Sequence, residues 1–339
     1  PSVHLITITV TESGYTSGSP LFEYLACGLR NRKNPITILC CDNIRQNGIV
    51  LETQFLAYLY LTNQYELVDW VKENVKFPSC MVDRITPRTT DTLRDEVEEL
   101  FPGFGQTAVQ TEEYTQWVIE DNFASDFPDL SQVGVIITKD IEPYEETKIR
   151  ILNGGHTSLA YLGVLSGYKT FDQVMNDEGH RNHFKKLQED EIIPSIDIDL
   201  PFDIHEYVKQ VEERFSNASN LDELDRICMD GFTKFHTFVV PSLRKCLEQG
   251  IRPVHIYKSI VAWYIYSRKF AKGCKKIRYN EPNWTLLEPL LRDENVDSFV
   301  SNERLWGDIP KKYMTFTREL KTLLMSHTYE KEIDLLVED

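Results

Sequence analysis

Lys148, Asn153 and His156 fall within one short stretch, YEETKIRILNGGHT, spanning residues 144–157. An amine, an amide and an imidazole sharing a surface suit removal of a hydroxyl proton and stabilisation of the alkoxide or carbonyl oxygen that results. On an α-helix at about 100° per residue, Asn153 lies roughly 140° from Lys148 and His156 roughly 80° from it, so all three fit one broad face. The same three residue types also occur on ordinary solvated helix faces. Two features favour the chemical reading. Ile149, Ile151 and Leu152 are apolar, and the following residues 159–167, LAYLGVLSG, are apolar almost throughout. Such surroundings disfavour an ammonium, so a lysine there should release its proton more readily.

The elements that must position this stretch divide the chain into two textures. Residues 3–10, 36–41, 81–85 and 133–138 read as strands, from alternation or from short apolar runs. Helical runs at 51–61 and 90–100 lie between them, which predicts an α/β layer with a parallel or mixed sheet. After Asp140 strand signals nearly vanish, and amphipathic segments follow at 144–166, 204–215, 221–247, 253–270 and 311–324. Pro143, with Glu145 and Glu146 behind it, suits a helix start. The expected organisation is α/β followed by all-α: a Rossmann-like domain over 1–139 and a mainly helical domain over 140–339. The match to G-x-G-x-x-A at Gly103-Phe104-Gly105-Gln106-Thr107-Ala108 follows a helical run. A dinucleotide fingerprint must follow a strand, so this match reads as a decoy.

Composition excludes several classes. A chain of 339 residues that is 41% hydrophobic and 27% charged reads as an ordinary globular protein of two domains. A formal net charge of -16 repels phosphate backbones, so nucleic acid is not an expected partner. No apolar run suits a membrane span, and the opening residues PSVHLITITV do not read as a signal peptide. Seven cysteines without C-x-x-C spacing predict reduced thiols and a cytoplasmic setting. His180 and His183 have an H-x2-H spacing near Asp177 and Glu178. It is read as a polar helix end, and no metal is expected.

The K-x4-N-x2-H pattern resembles the signature of the mannitol dehydrogenase family, the polyol-specific long-chain dehydrogenases. Other blocks agree in order. Thr11-Glu12-Ser13-Gly14-Tyr15 is similar to a T-E-x-G-Y stretch, and Cys41-Asp42-Asn43 with Asn47-Gly48 to a C-D-N-x3-N-G motif. Residues 81–87 (MVDRITP) and 117–121 (WVIED) match two more. Arg226, Asp230-Gly231 and Lys234-Phe235 resemble R-x3-D-G-x2-K-F. The resemblance implies that Lys148 is the general base, that Asn43 and Asn153 form an oxyanion hole, and that Glu145 lies on a proton path. It implies that His156, Arg226 and Lys234 hold substrate hydroxyls, and that Asp83 sits beside the nicotinamide or substrate. The implied cofactor is NAD or NADP, with NAD preferred and no metal. Read without the family, Asp42-Asn43 is equally an Asx turn, Arg226 and Lys234 a solvated basic face, and Asp83-Arg84 a surface ion pair.

The family's Gly-rich cofactor turn has no counterpart here, so the Rossmann-like domain is expected to lack its N-terminal half. The implied activity is interconversion of a sugar alcohol and its 2-ketose, with reduction of fructuronate or tagaturonate as the alternative. A non-catalytic binding relative is the alternative from another class. A small-molecule polyol, ketose or hexuronate is the expected partner of a monomer or weak oligomer.

Overall fold

The computed structural model describes residues 3–11, 14–16, 18–219, 222–292 and 296–329. Glu12 and Ser13 of the T-E-x-G-Y stretch, and Leu221 at the head of one expected helix, lie outside them. The chain forms two compact units, one of residues 1–84 and 113–145, the other of 85–112 and 146–339.

The first unit is α/β. Its elements are β1 (Leu5–Ile8), α1 (Pro20–Leu29), β2 (Ile36–Cys40), α2 (Asn47–Leu61), α3 (Tyr65–Asn74), β3 (Val75–Lys76) and β4 (Cys80–Asp83). After an excursion containing α4 (Asp91–Leu100), the chain returns as β5 (Gln116–Glu120) and β6 (Ile136–Thr138). β1, β2 and β3 pair in parallel. β5 pairs antiparallel with β4 and parallel with β6. β2 is buried along its whole length, as a parallel strand covered on both faces should be. Phe22, Leu51, Phe55 and Leu59 from α1 and α2 pack with Ile36 and Ile38 to form its core. Sequence patterning missed β5, whose five residues mix both polarities, and β3, only two residues long.

The second unit is helical. α5 (Glu142–Thr147) leads into a π-helical turn over Lys148–Asn153, then α6 (Gly154–Leu165). There follow α7 (Phe171–Asn176), α8 (Glu178–Lys186), a second π-turn at Leu187–Ile192, α9 (Ile193–Ser195), α10 (Ile204–Phe215), α11 (Leu224–Ile227) and α12 (Gly231–Lys234). A third π-turn, Phe235–Val239, precedes α13 (Val240–Gln249) and the 18-residue α14 (Val254–Ala271). Tyr161, Phe235, Trp263, Phe299 and Trp306 make an aromatic centre, with Phe235 stacked on Trp263 at 4.5 Å. The expected single helix over 221–247 is broken. Asp230 takes a left-handed φ of 54°, and a Cβ on Gly231 would lie 2.5 Å from the Tyr161 hydroxyl and 2.7 Å from that of Tyr279. Only glycine admits such an approach, so helix continuity yields to the core.

Residues 85–112 pack into this helical unit although they interrupt the strands of the first. Glu112 explains why. Its buried carboxylate takes Nε and Nη2 of Arg214 on α10 at 3.0 and 2.7 Å, and the Ile85 backbone N–H at 2.5 Å. No helix among the described residues is long and apolar enough to cross a membrane.

Candidate active site

The π-turn changes the geometry expected of the Lys148 stretch. A π-helix closes i→i+5 bonds and turns roughly 80° per residue. Asn153 therefore falls about one turn above Lys148, at roughly 40°, and His156, three α-helical residues later, at roughly 20°. On that geometry the three positions fall on a narrower stripe than on a regular helix. Arg150 and Gln188 hold this turn. Arg150 is buried, donating from Nε to Ser242 Oγ at 3.0 Å and from Nη2 to the Ser195 carbonyl at 2.9 Å. Gln188 Nε2 donates to the Ile151 carbonyl, which lies within the π-turn, at 3.2 Å.

The two glycines between Asn153 and His156 are explained by packing. A Cβ on Gly154 would sit 3.0 Å from the Phe238 carbonyl oxygen, and one on Gly155 within 2.9 Å of both Gln188 and Phe184. The other two π-turns thus press directly on the backbone of this segment or its immediate support.

Lys148 is buried, at 7% exposure. Asn153 is half-buried, and its carboxamide oxygen is buried without a hydrogen-bond partner. His156 is held between Phe215, stacked at 5.0 Å, and Phe171, edge-on at 4.3 Å. Burial pushes its pKa down to about 4, against the opposing pull of Asp222. The ring is therefore neutral at neutral pH.

Arg226 and Lys234 sit near one another in charge terms but on two short helices. The side chain of Arg226 is half-exposed and donates through Nε, at 3.0 Å, and Nη2 to Asp222 Oδ1. Lys234 Nζ donates to the Ile227 carbonyl at 2.6 Å, and burial lowers its pKa. Asp222 is the residue that sequence reasoning missed. Its buried carboxylate stands between Arg226 and His156, with Oδ2 3.5 Å from His156 Nε2. The one sequence signal for it was the four-residue spacing to Arg226. A small pocket lined by His156, Phe171, Arg214, Phe215, Asn217 and Asp222 opens beside this pair.

The first unit carries the remaining residues. The turn after β2 is organised by two flanking side chains. Asp42 is buried and accepts from the N–H groups of Val10 and Thr11 at 2.9 and 2.8 Å and from the Tyr15 hydroxyl at 2.5 Å. Asn47 is wholly buried. It donates to the carbonyls of Asp42 and Cys80 and accepts the Cys80 N–H at 2.9 Å, which ties the end of β2 to the start of β4. Gly48 lies against the Pro78 carbonyl, 2.7 Å from where a Cβ would stand. Asn43 projects from this braced turn and is exposed. Glu145 is buried and accepts the N–H of Gln46, at the far end of the same turn, at 2.7 Å. Asp83, at the end of β4, is buried at 4% exposure.

The glycine decoy behaves as one. Glu98 accepts the N–H groups of Gly103 and Gly105 at 2.8 and 3.0 Å, so a carboxylate already occupies the donors that a phosphate would need. His180 bonds Asp177 at 2.7 Å and His183 faces His255 at 3.2 Å. They do not converge as an H-x2-H ligand pair. None of the seven cysteines forms a disulfide.

The model of the mannitol dehydrogenase Rossmann domain matches residues 2–132, and that of the mannitol dehydrogenase C-terminal domain matches 140–325. A mannitol dehydrogenase of Saccharomyces cerevisiae is 34% identical over 313 residues, covering 83% of this chain and 62% of its own length. A D-arabinitol 4-dehydrogenase of Ralstonia nicotianae is 32% identical, covering 91% of this chain and 72% of its own. The Pseudomonas fluorescens mannitol 2-dehydrogenase, solved in a ternary complex with NAD and D-mannitol, superposes with a TM-score of 0.83 at 27% identity, covering 99% of this chain and 74% of that one. This chain therefore spans less than two thirds of the yeast relative's length. With both domain models matched in order over a Rossmann-type and then a mainly helical fold, the chain belongs to the mannitol dehydrogenase family.

Proposed function

We propose that the protein interconverts a sugar alcohol and its 2-ketose with a nicotinamide cofactor, using Lys148 as general base and no metal. The observation that carries this reading is that Lys148 is buried at the start of the π-turn that ends at Asn153, whose carboxamide oxygen is buried without a partner. Lys148 takes the proton from the reacting hydroxyl as its C–H bond breaks. Asn153, together with Asn43 as the family resemblance assigns it, donates to the oxygen as charge develops there. The family resemblance assigns Glu145 to the path by which the proton leaves.

Two places in the chain bear on the fit to a dinucleotide. The loop 103–108 does not fit, because Glu98 holds its N–H groups. The carboxyl ends of parallel β1 and β2 are where open α/β sheets bind ligands. When bound, the cofactor supplies the hydride acceptor, NAD in preference to NADP, and Asp83 would lie beside it. The relative solved with NAD and D-mannitol supports the same assignment.

His156, Arg226 and Lys234 hold the substrate's other hydroxyls. Arg226 is already engaged by Asp222 and Lys234 by a carbonyl, which suits an uncharged polyol better than the carboxylate of a hexuronate. We place the enzyme in the cytoplasm.

The test is steady-state turnover of the longest form the gene encodes, with NADH or NADPH and a panel of ketoses, keto-hexuronates and simple aldehydes, before and after prolonged chelation. Ketose reduction that survives chelation is expected. Lys148→Ala should lower turnover about 10²–10⁴-fold, with partial rescue by small amines. Turnover confined to aldehydes, zinc-restored activity or a near-normal Lys148→Ala would overturn the assignment, and no turnover at all would favour a binding protein.

A further inference from the structure

The pair His156 and Asp222 has a chemical consequence that goes beyond substrate contact. The His156 ring is held between two phenylalanine rings, so its hydrogen bonding is confined to its edge, where the two nitrogens lie. A neutral imidazole carries one N–H, and the group beside one nitrogen decides which it is. Here Nε2 lies 3.5 Å from a buried carboxylate oxygen, Asp222 Oδ2, that has no hydrogen-bond partner within the chain's described residues. A carboxylate accepts and cannot donate, so it favours the proton on Nε2. The other oxygen of the same carboxylate takes two donors from Arg226.

Asp222 is itself fixed from the backbone. Its carbonyl accepts the Phe171 N–H at 2.9 Å, and the next residue, Glu223, bridges to Thr170. Phe171 is one of the two rings that hold His156, so the carboxylate and the imidazole are set by the same piece of chain.

We propose that Asp222 is a positioning residue: it fixes His156 as the Nε2–H tautomer and steadies the Arg226 guanidinium, leaving His156 Nδ1 as an acceptor for a polyol hydroxyl. This rests on the reading of His156 and Arg226 as substrate-holding groups. Burial keeps the ring neutral, with Asp222 opposed by Arg226, Lys234 and Arg214, so the acceptor persists at neutral pH.

Asp222→Asn keeps the shape and replaces an obligate acceptor with an amide that can also donate. The tautomer of His156 is read from its ring ¹⁵N shifts, with no substrate present, and KM and kcat are measured for the ketose and polyol. The wild type should show Nε2–H. Asp222→Asn should lose that preference and raise KM about 10- to 100-fold, as loss of a hydrogen bond to a charged group does, with kcat changed far less. In a His156→Asn background the same substitution should add much less. Nδ1–H in the wild type, or an unchanged tautomer and KM in Asp222→Asn, would overturn the proposal. The wild-type tautomer decides the matter even if Asp222→Asn does not fold. Since it needs no turnover, a protein inactive on polyols but with Nε2–H and its loss in the variant would refute the substrate reading while leaving Asp222's hold on His156 intact.

Discussion

Removing the Glu112 carboxylate tests how the excursion 85–112 is held. Glu112 and Arg214 have side chains only 2% and 6% exposed. The carboxylate receives two guanidinium bonds and one backbone N–H. Glu112→Ala would leave a guanidinium buried beside a cavity and orphan the Ile85 N–H. Breaking a buried pair from one side costs about 3–5 kcal/mol, because the surviving charge keeps its desolvation penalty. At a urea slope of about 3 kcal/mol/M, the midpoint should fall by more than about 1 M. Glu112→Leu with Arg214→Leu removes both charges and should recover most of the loss, since an apolar replacement of an ion pair is often neutral. Hydrogen exchange should localise the damage, with amides of 85–112 exchanging faster in Glu112→Ala. A midpoint shift corresponding to under about 1 kcal/mol would place the pair with ordinary surface ion pairs and refute the reasoning. A double variant worse than the single would refute it also.

Three further outcomes are expected. Gly155→Ala should destabilise by about 1–3 kcal/mol despite alanine's better helix propensity, because its Cβ meets Phe184 and Gln188 within 2.9 Å; a thermal melt at or above wild type would contradict that. The pKa of His156 is lowered in the fold from 6.5 to about 4, so its contribution to stability is present above 6.5 and lost as pH falls towards 4. The loss amounts to about 3 kcal/mol, and a His156→Asn protein should show a correspondingly shallower acid limb in denaturant titrations. Glu191 has the opposite sign: burial raises its pKa to about 7 while it caps the N–H groups of His255 and Ile256. Its contribution is complete below 4.5 and lost as pH rises through 7, so a Glu191→Gln protein should lose less stability as pH rises from 4.5 to 7.

Much of this was legible without coordinates. Parallel β2 reads from ITILC because a strand covered on both faces must be apolar at every position. α10 was read residue for residue, 204–215, since its amphipathic period has clear ends. The candidate residues Lys148, Asn153 and His156 stand out by type and spacing, and the family by its ordered motifs. Tertiary structure alone decided the rest. The π-turn at 148–153 arises from partners 37 to 92 residues away, Gln188, Ser195 and Ser242, so no local period announces it. The break at Asp230-Gly231 exists because Tyr161 and Tyr279 come up against the backbone there. Asp222 looked like any acidic residue in a charged loop until folding set it between an imidazole and a guanidinium. Local pattern determines which residues can form an element; contacts between distant segments determine where that element bends, and which side chains share a site.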